Sequence, residues 1–376
     1  MQRSVSPSSV AGTIRAPASK SSMQRALACA ALASGRSRLG NPSFSADCLA
    51  ALSLVEALGA RIERRADAVL VEGRPPGETV SPGAGTPTEG PRRLSCGESG
   101  LCIRMFAPIT ALYSGDTLLE AEGSLRSRPL GMTEGVLESL GGSCLSAMGF
   151  PPLRVTGPLR GGRARADGSS SSQFITGLLV ALPLAVGDSI LEVERLASAG
   201  YVDMTLDTMR AFGVEIEASR PVALGPANPV FRIPGGQRYR ACDFEIEGDW
   251  SGGAFLLVAA ALAARAGGLA LLGLSPRSSQ PDRAVMRALA SAGAAIVESP
   301  DRIVLGRGEL RAFAFDARDC PDLFPPLVAL ASACRGESRI AGVSRLRGKE
   351  SDRAAALSEG FSALGAAVRV EGDELV

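Results

Sequence analysis

The chain has 376 residues, 40 Lys and Arg against 39 Asp and Glu, 4% aromatic residues and no histidine. That length predicts two domains rather than one core, and near-zero charge with no basic tail argues against a nucleic-acid partner. Without histidine there is no His-based triad, no HExxH zinc site and no histidine general base, so any chemistry must run on Lys, Arg, Asp, Glu, Ser or Tyr.

The opening residues, Met1 to Ser9, are polar, so no secretory segment is expected. Next comes Pro17-Ala18-Ser19-Lys20-Ser21, running into an Ala/Leu-rich helix with Arg25 one turn on. Such a helix start offers cations, hydroxyls and free N–H groups to one anion, as in sites for phosphorylated small molecules. Gly97-Glu98-Ser99-Gly100 allows a tight turn against a ligand, with Arg104 about one turn beyond. In Arg126-Ser127-Arg128-Pro129, the proline predicts a helix start, placing Arg128 at its positive end, which favours a held anion. Ser169 to Ser172 and Gln173 precede the apolar run Phe174 to Val186, so hydroxyls and an amide again gather at a helix N-terminus. Ser198 and Tyr201 stand ahead of a further helix. The longest apolar run, Ala254 to Ala264, is too short to span a bilayer, so no membrane association is expected. Asp322 opens a hydrophobic helix, where its carboxylate is stabilised. Lys349-Glu350-Ser351-Asp352-Arg353 opens the last helix, and helical spacing would set Lys349 and Arg353 on one face. Taken singly, each has a plainer reading as a cap, a packed turn or a surface ion pair. The eight cysteines lack CxxC spacing and read as buried thiols in a reducing compartment, so a cytoplasmic protein is expected.

An Ala/Leu-rich helix, a small-residue break and one or two short strands recur five times. The break glycines are Gly59, Gly141, Gly213, Gly293 and Gly365, spaced 82, 72, 80 and 72 residues apart. Glycine ends each helix by taking the left-handed conformation cheaply. A period this long describes a reused supersecondary unit rather than a thin solenoid. The last unit is expected to stop almost as soon as its first strand, near Ala367 to Val370, is made. Arg74 to Pro91, rich in Pro and Gly, reads as a surface loop, and composition shifts near Pro229 to Tyr239.

Taken in order, the Lys-Ser…Arg, Ser-Ser-Gln and Lys-Glu-Ser-Asp-Arg strings resemble the enolpyruvyl transferase family, in its 5-enolpyruvylshikimate-3-phosphate (EPSP) synthase branch. Ser21, where the sister UDP-N-acetylglucosamine enzymes have Asn, favours that branch. The resemblance runs over nearly the whole chain. It implies an α/β (α+β) fold of two similar domains built from βαβαββ units, the last one incomplete, with a substrate cleft between the domains. The domains would be residues 1–15 with 236–376, and residues 16–235. The implied partners are the small anionic substrates shikimate 3-phosphate and phosphoenolpyruvate. A monomer is expected, with no metal or organic cofactor.

By resemblance, Ser21, Arg25, Ser171, Ser172, Gln173, Ser198 and Tyr201 bind the acceptor, and Lys20 touches both substrates. Asp322 and Lys349 flank the acceptor hydroxyl. Arg128, Arg353 and Glu350 face phosphoenolpyruvate, near Gly100 and Arg104. The sequence departs from the family where Glu98 and Leu101 replace Asn and Thr, and where Arg345 replaces a short polar residue. A C-terminal stretch that carries further phosphoenolpyruvate-binding cations in the family is also expected to be lacking. The expected activity is enolpyruvyl transfer to the 5-hydroxyl of shikimate 3-phosphate by addition and elimination. The alternatives are a relative that does an elimination or rearrangement on a similar phosphorylated cyclic acid, or a non-catalytic binding protein.

Overall fold

The computed structural model describes residues 6–77, 90–218, 222–225, 228–346 and 352–376. The chain divides into two compact units, Met1–Pro17 with Glu247–Val376, and Ala18–Ile246. The second junction lies later than residues 235/236. Residues 236–246 stay with the 18–246 unit because Tyr239–Arg240 and Asp243–Glu245 pair in parallel with the strand Ala33–Gly40. Tyr239 is buried there and its hydroxyl donates to the Val180 carbonyl at 2.9 Å.

The 18–246 unit holds three copies of one motif. The first is helix α1 (Lys20–Leu32), the strand Ala33–Gly40, helix α2 (Ala46–Ala57) and the hairpin Arg61–Arg64 and Ala68–Gly73. The second runs from strand Arg92–Ser95 through α3 (Gly100–Thr110), strand Gly115–Glu120 and α4 (Glu134–Ser139) to the hairpin Ser143–Ala147 and Phe150–Gly157. The third has strand Gly162–Asp167, α5 (Gln173–Ala181), strand Ser189–Glu194, α6 (Gly200–Ala211) and strand Val230–Ile233. In each sheet a parallel pair is followed by an antiparallel neighbour. Helices α3 and α5 are apolar nearly all round, and helices of that kind are buried; α1 is buried nearly all round too, although Ser22, Gln24 and Arg25 lie on it. They carry the core that runs from Met23 to Ile246.

The other unit repeats the motif twice among the described residues. Helix α7 (Trp250–Ala263), strand Ala264–Leu272, α8 (Val285–Ala292) and the hairpin Ala295–Glu298 and Arg302–Gly306 make one copy. Strand Ala314–Asp316, α9 (Phe324–Ser332), strand Arg339–Ala341, α10 (Arg353–Ala363) and the hairpin Val370–Glu371 and Glu374–Leu375 make the next. The N-terminal strand Val10–Arg15 lies parallel to Ala264–Leu272, as Tyr239–Glu245 does to Ala33–Gly40. Just before each passage between units, the chain thus completes the first sheet of the unit it is leaving. The last copy goes further than expected: Glu374–Leu375 pairs with Arg339–Ala341, and Val370–Glu371 pairs in turn with Glu374–Leu375.

The five break glycines have φ between +79° and +107°, the left-handed region a Cβ disfavours. The period read from the sequence is therefore the helix-ending step of the repeat. Another glycine sets a helix–helix distance. A Cβ at Gly177 of α5 would stand 2.5 Å from the Met105 carbonyl oxygen of α3. Gly177→Ala is expected to destabilise by about 1–3 kcal/mol, seen as a lower urea midpoint with an unchanged m-value. An unmoved midpoint would mean that α3 and α5 do not approach this closely.

Candidate active site

The start of α1 is built by its cap. Ser19 is extended and its hydroxyl accepts from the Ser22 N–H at 3.3 Å. Lys20 follows, exposed, with its Nζ 3.2 Å from Asp47 Oδ2 in the first turn of α2. Asp47 carried no sequence signal of its own, because only the fold brings it to Lys20. Ser21 lies half-buried above Arg25, whose Nη1 donates to the Ser21 carbonyl at 2.9 Å.

Arg25 is 1% exposed. Its Nε donates to Thr205 Oγ1 at 2.8 Å, and its Nη2 to Thr176 Oγ1 at 3.2 Å and to the Tyr201 carbonyl at 3.3 Å. The Tyr201 ring lies 5.8 Å from the guanidinium. Burial pulls the Arg25 pKa down to about 10, the nearby Tyr201 and Cys29 opposing it weakly. Among the described residues no carboxylate pairs with this cation. It therefore ties α1 to α5 and α6 while keeping an uncompensated positive charge beneath the Lys20–Ser21 turn.

A second group gathers at the start of α3, which Ser99 caps by accepting from the Cys102 N–H at 3.2 Å. A Cβ at Gly100 would stand 2.8 Å from Arg104 Nη1, 2.9 Å from Arg128 Nη1 and 3.4 Å from Gln173 Oε1. Only glycine lets these three side chains close over the helix start. Arg104 Nη1 donates to Gln173 Oε1 at 3.1 Å, and its Nη2 to the Pro129 carbonyl at 3.1 Å. Both arginines are 7% exposed. Pro129 does not start a helix, as its sequence suggested. Instead Arg128 follows the 3₁₀ turn Gly123–Ser127 in extended conformation, φ −90° and ψ 133°. Two guanidiniums at a helix N-terminus form a positive, partly desolvated site fit for phosphate or carboxylate.

Glu98 is bonded to the 3₁₀ turn that precedes Arg128. Its Oε2 accepts from the Ser124 N–H at 2.9 Å and from the Ser124 hydroxyl at 3.0 Å. Leu101 is buried in the core, which accounts for an apolar residue there. Burial also pushes the Cys102 thiol up to about 12, so it is no thiolate nucleophile.

At α5, Ser171 Oγ accepts from the Gln173 N–H at 3.2 Å. Ser172 is the buried cap residue, and its side chain makes no cap hydrogen bond. Ser198 is 5% exposed and sits at φ 55°, unusual for a non-glycine residue and a mark of functional loops. Tyr201 lies in the first turn of α6.

In the other unit Asp322 sits in the 3₁₀ turn Pro321–Leu323 that leads into α9. Its Oδ1 accepts from Arg353 Nη1 at 2.6 Å. The last helix does not begin at Lys349. Asp352 is its cap, accepting from the Ala355 N–H at 3.1 Å, and Arg353 is its first residue. Arg353 thus pairs with Asp322, and the expected same-face placement of Lys349 falls outside the described residues. Lys349 and Glu350 themselves lie outside the described residues. Arg345 is half-buried, and burial lowers its pKa, with Asp319 opposing.

Among the described residues there is no cluster of His, Cys, Asp or Glu that could hold a metal, and no helix long and apolar enough to cross a membrane. Repeated βαβαββ units with buried arginines near helix starts define a two-unit α/β fold of internally repeated architecture. The family model described as EPSP synthase (3-phosphoshikimate 1-carboxyvinyltransferase) matches residues 5–376. A 3-phosphoshikimate 1-carboxyvinyltransferase of Methanocorpusculum labreanum is 38% identical over 355 residues, 94% of this chain and 79% of that protein. One of Clostridium kluyveri is 35% identical over 374 residues, 99% of this chain and 83% of that protein. The solved EPSP synthase of Acinetobacter baumannii superposes with a TM-score of 0.77 at 22% identity, over 97% of this chain and 80% of that one. The chain belongs to the EPSP synthase family and is an enolpyruvyl transferase of that type.

Proposed function

We propose that this enzyme takes shikimate 3-phosphate as acceptor and phosphoenolpyruvate as donor, with the roles divided between named residues as follows. Ser21, Arg25, Ser171, Ser172, Gln173, Ser198 and Tyr201 hold the acceptor. Arg104 and Arg128 at Gly100, with Arg353 and Glu350, receive phosphoenolpyruvate, and Lys20 serves both. The acceptor 5-hydroxyl attacks C2 of phosphoenolpyruvate while C3 gains a proton. Phosphate then leaves the tetrahedral adduct as C3 returns a proton, giving the enolpyruvyl ether. Lys20, Asp322, Lys349 and Glu350 are the proton-transfer groups, and the arginines stabilise the charge that develops on the departing phosphate. This scheme calls for no metal or organic cofactor. A monomer in the cytoplasm, acting on neither nucleic acid nor membrane, suits a near-neutral chain with free thiols.

The observation that carries the reading is the closure of Arg104, Arg128 and Gln173 over Gly100. Mixing the pure protein with both substrates should release inorganic phosphate and yield a product of the enolpyruvyl mass, each substrate being required. Saturable acceptor binding without phosphate release would replace this reading with that of a binding protein.

A further inference from the structure

We propose that Glu98 is a positioning residue for the phosphoenolpyruvate half of the site, acting through Ser124 and Gly123 to set Arg128 against Gly100. The inference rests on the reading of Arg104 and Arg128 as the donor-anion site.

Two turns meet at Glu98. One, Gly97 to Gly100, starts α3, and the other is the 3₁₀ turn Gly123–Ser127 that delivers Arg128. They are joined three times. The Glu122 N–H donates to the Gly97 carbonyl at 2.8 Å. Ser95 Oγ donates to Glu122 Oε1 at 2.8 Å, and also accepts from the Gly97 N–H at 3.2 Å. Glu98 Oε2 takes both the N–H and the hydroxyl of Ser124. Hydrogen bonds to an ionised carboxylate are the strong ones, so the third link is the firmest.

The receiving turn is shaped for that carboxylate. Gly123 has φ 48°, and a Cβ there would stand 2.3 Å from the Glu98 carboxyl carbon. The carboxylate also accepts the second N–H of a 3₁₀ turn, whose first amides lack partners within the turn. Glu98 thus orders the backbone that ends on Arg128. Nothing in the Gly-Glu-Ser-Gly string alone reveals this, because Gly123 and Ser124 lie a strand and a helix away.

The test measures KM for each substrate in Glu98→Gln, Glu98→Ala, Gly123→Ala and the Glu98→Ala/Gly123→Ala double variant, with phosphoenolpyruvate binding by calorimetry and a thermal melt for each. Glutamine still accepts from Ser124 and should stay near the parent enzyme. Glu98→Ala and Gly123→Ala should each weaken phosphoenolpyruvate by about ten- to a hundredfold, since misplacing a binding group by an ångström costs that much. The shikimate 3-phosphate KM should move by no more than about twofold, and the double variant should be no worse than either single one. Three results would overturn the proposal: tighter phosphoenolpyruvate binding by Glu98→Gln, which would put the carboxylate beside the donor; equal weakening of both substrates; or effects that add in the double variant. If the parent enzyme itself gave no turnover, the assignment of the reaction would fail, while the calorimetric arm would still decide the role of Glu98.

Discussion

An Asp322→Asn variant should lose about 10²–10⁴ in kcat while still binding shikimate 3-phosphate nearly as well as the parent enzyme. The chain has no histidine, so the proton of the acceptor hydroxyl must pass to a carboxylate or a neutral lysine. In the proposed scheme Asp322 is that group, and two features bear on it. Pro321 begins the turn that becomes α9, so the carboxylate stands at the positive end of the helix. Arg353 Nη1 holds one of its oxygens at 2.6 Å, which fixes the direction in which the group points. Asparagine keeps the size and accepts one hydrogen bond from Arg353, but it cannot take a proton. A transition-state role predicts that kcat and kcat/KM fall together. Steady-state and single-turnover phosphate release would show this. If Asp322 were only a cap and a half-exposed ion pair, asparagine would cost about 1 kcal/mol of stability or less and leave kcat unchanged. That result would move proton transfer to Lys20, Lys349 or Glu350.

The parts legible in the sequence are those with local causes. Gly59, Gly141, Gly213, Gly293 and Gly365 each end a helix in the left-handed region, a constraint set by neighbouring residues alone. That made the repeat readable without any knowledge of its packing. The helix starts at Lys20, Gly100 and Gln173 were readable for the same reason, since caps and glycine turns are local. Long-range matters were not. Pro129 predicts a helix start for Arg128, but the segment before it is the 3₁₀ turn Gly123–Ser127, bonded through Ser124 to the distant Glu98. The compact units divide after Ile246, whereas the resemblance implies a junction after residue 235. The strands that follow are claimed by Ala33–Gly40, some two hundred residues earlier, which no window can see. Asp47 beside Lys20, and Thr176 and Thr205 around Arg25, belong to the same class. Each is an ordinary helical residue until three helices are brought together.

Arg25 shows how far packing and function are separable. Arg25→Met is expected to change the stability of the fold little, yet to weaken shikimate 3-phosphate binding by about a hundredfold. Methionine keeps most of the apolar stem while removing the charge. The balance of stability has two sides. Burial pulls the folded-state pKa down to about 10, so at neutral pH the charged form costs the fold about 3 kcal/mol. That cost is present at any pH well below 10 and fades only as the guanidinium deprotonates. Against it stand the hydrogen bonds to Ser21, Thr176, Thr205 and Tyr201, worth about 1 kcal/mol each. Thr176 and Thr205 already share a bond at 3.1 Å, and Thr205 donates to the Tyr201 carbonyl at 2.8 Å, so part of the network survives the loss. The terms nearly cancel. In the proposed scheme the Arg25 charge is set against the anionic acceptor. Melting temperature and acceptor affinity, measured on the same variant, separate the two roles. A large drop in melting temperature with unchanged affinity would make Arg25 a packing residue and leave Lys20 and the serines to hold the acceptor.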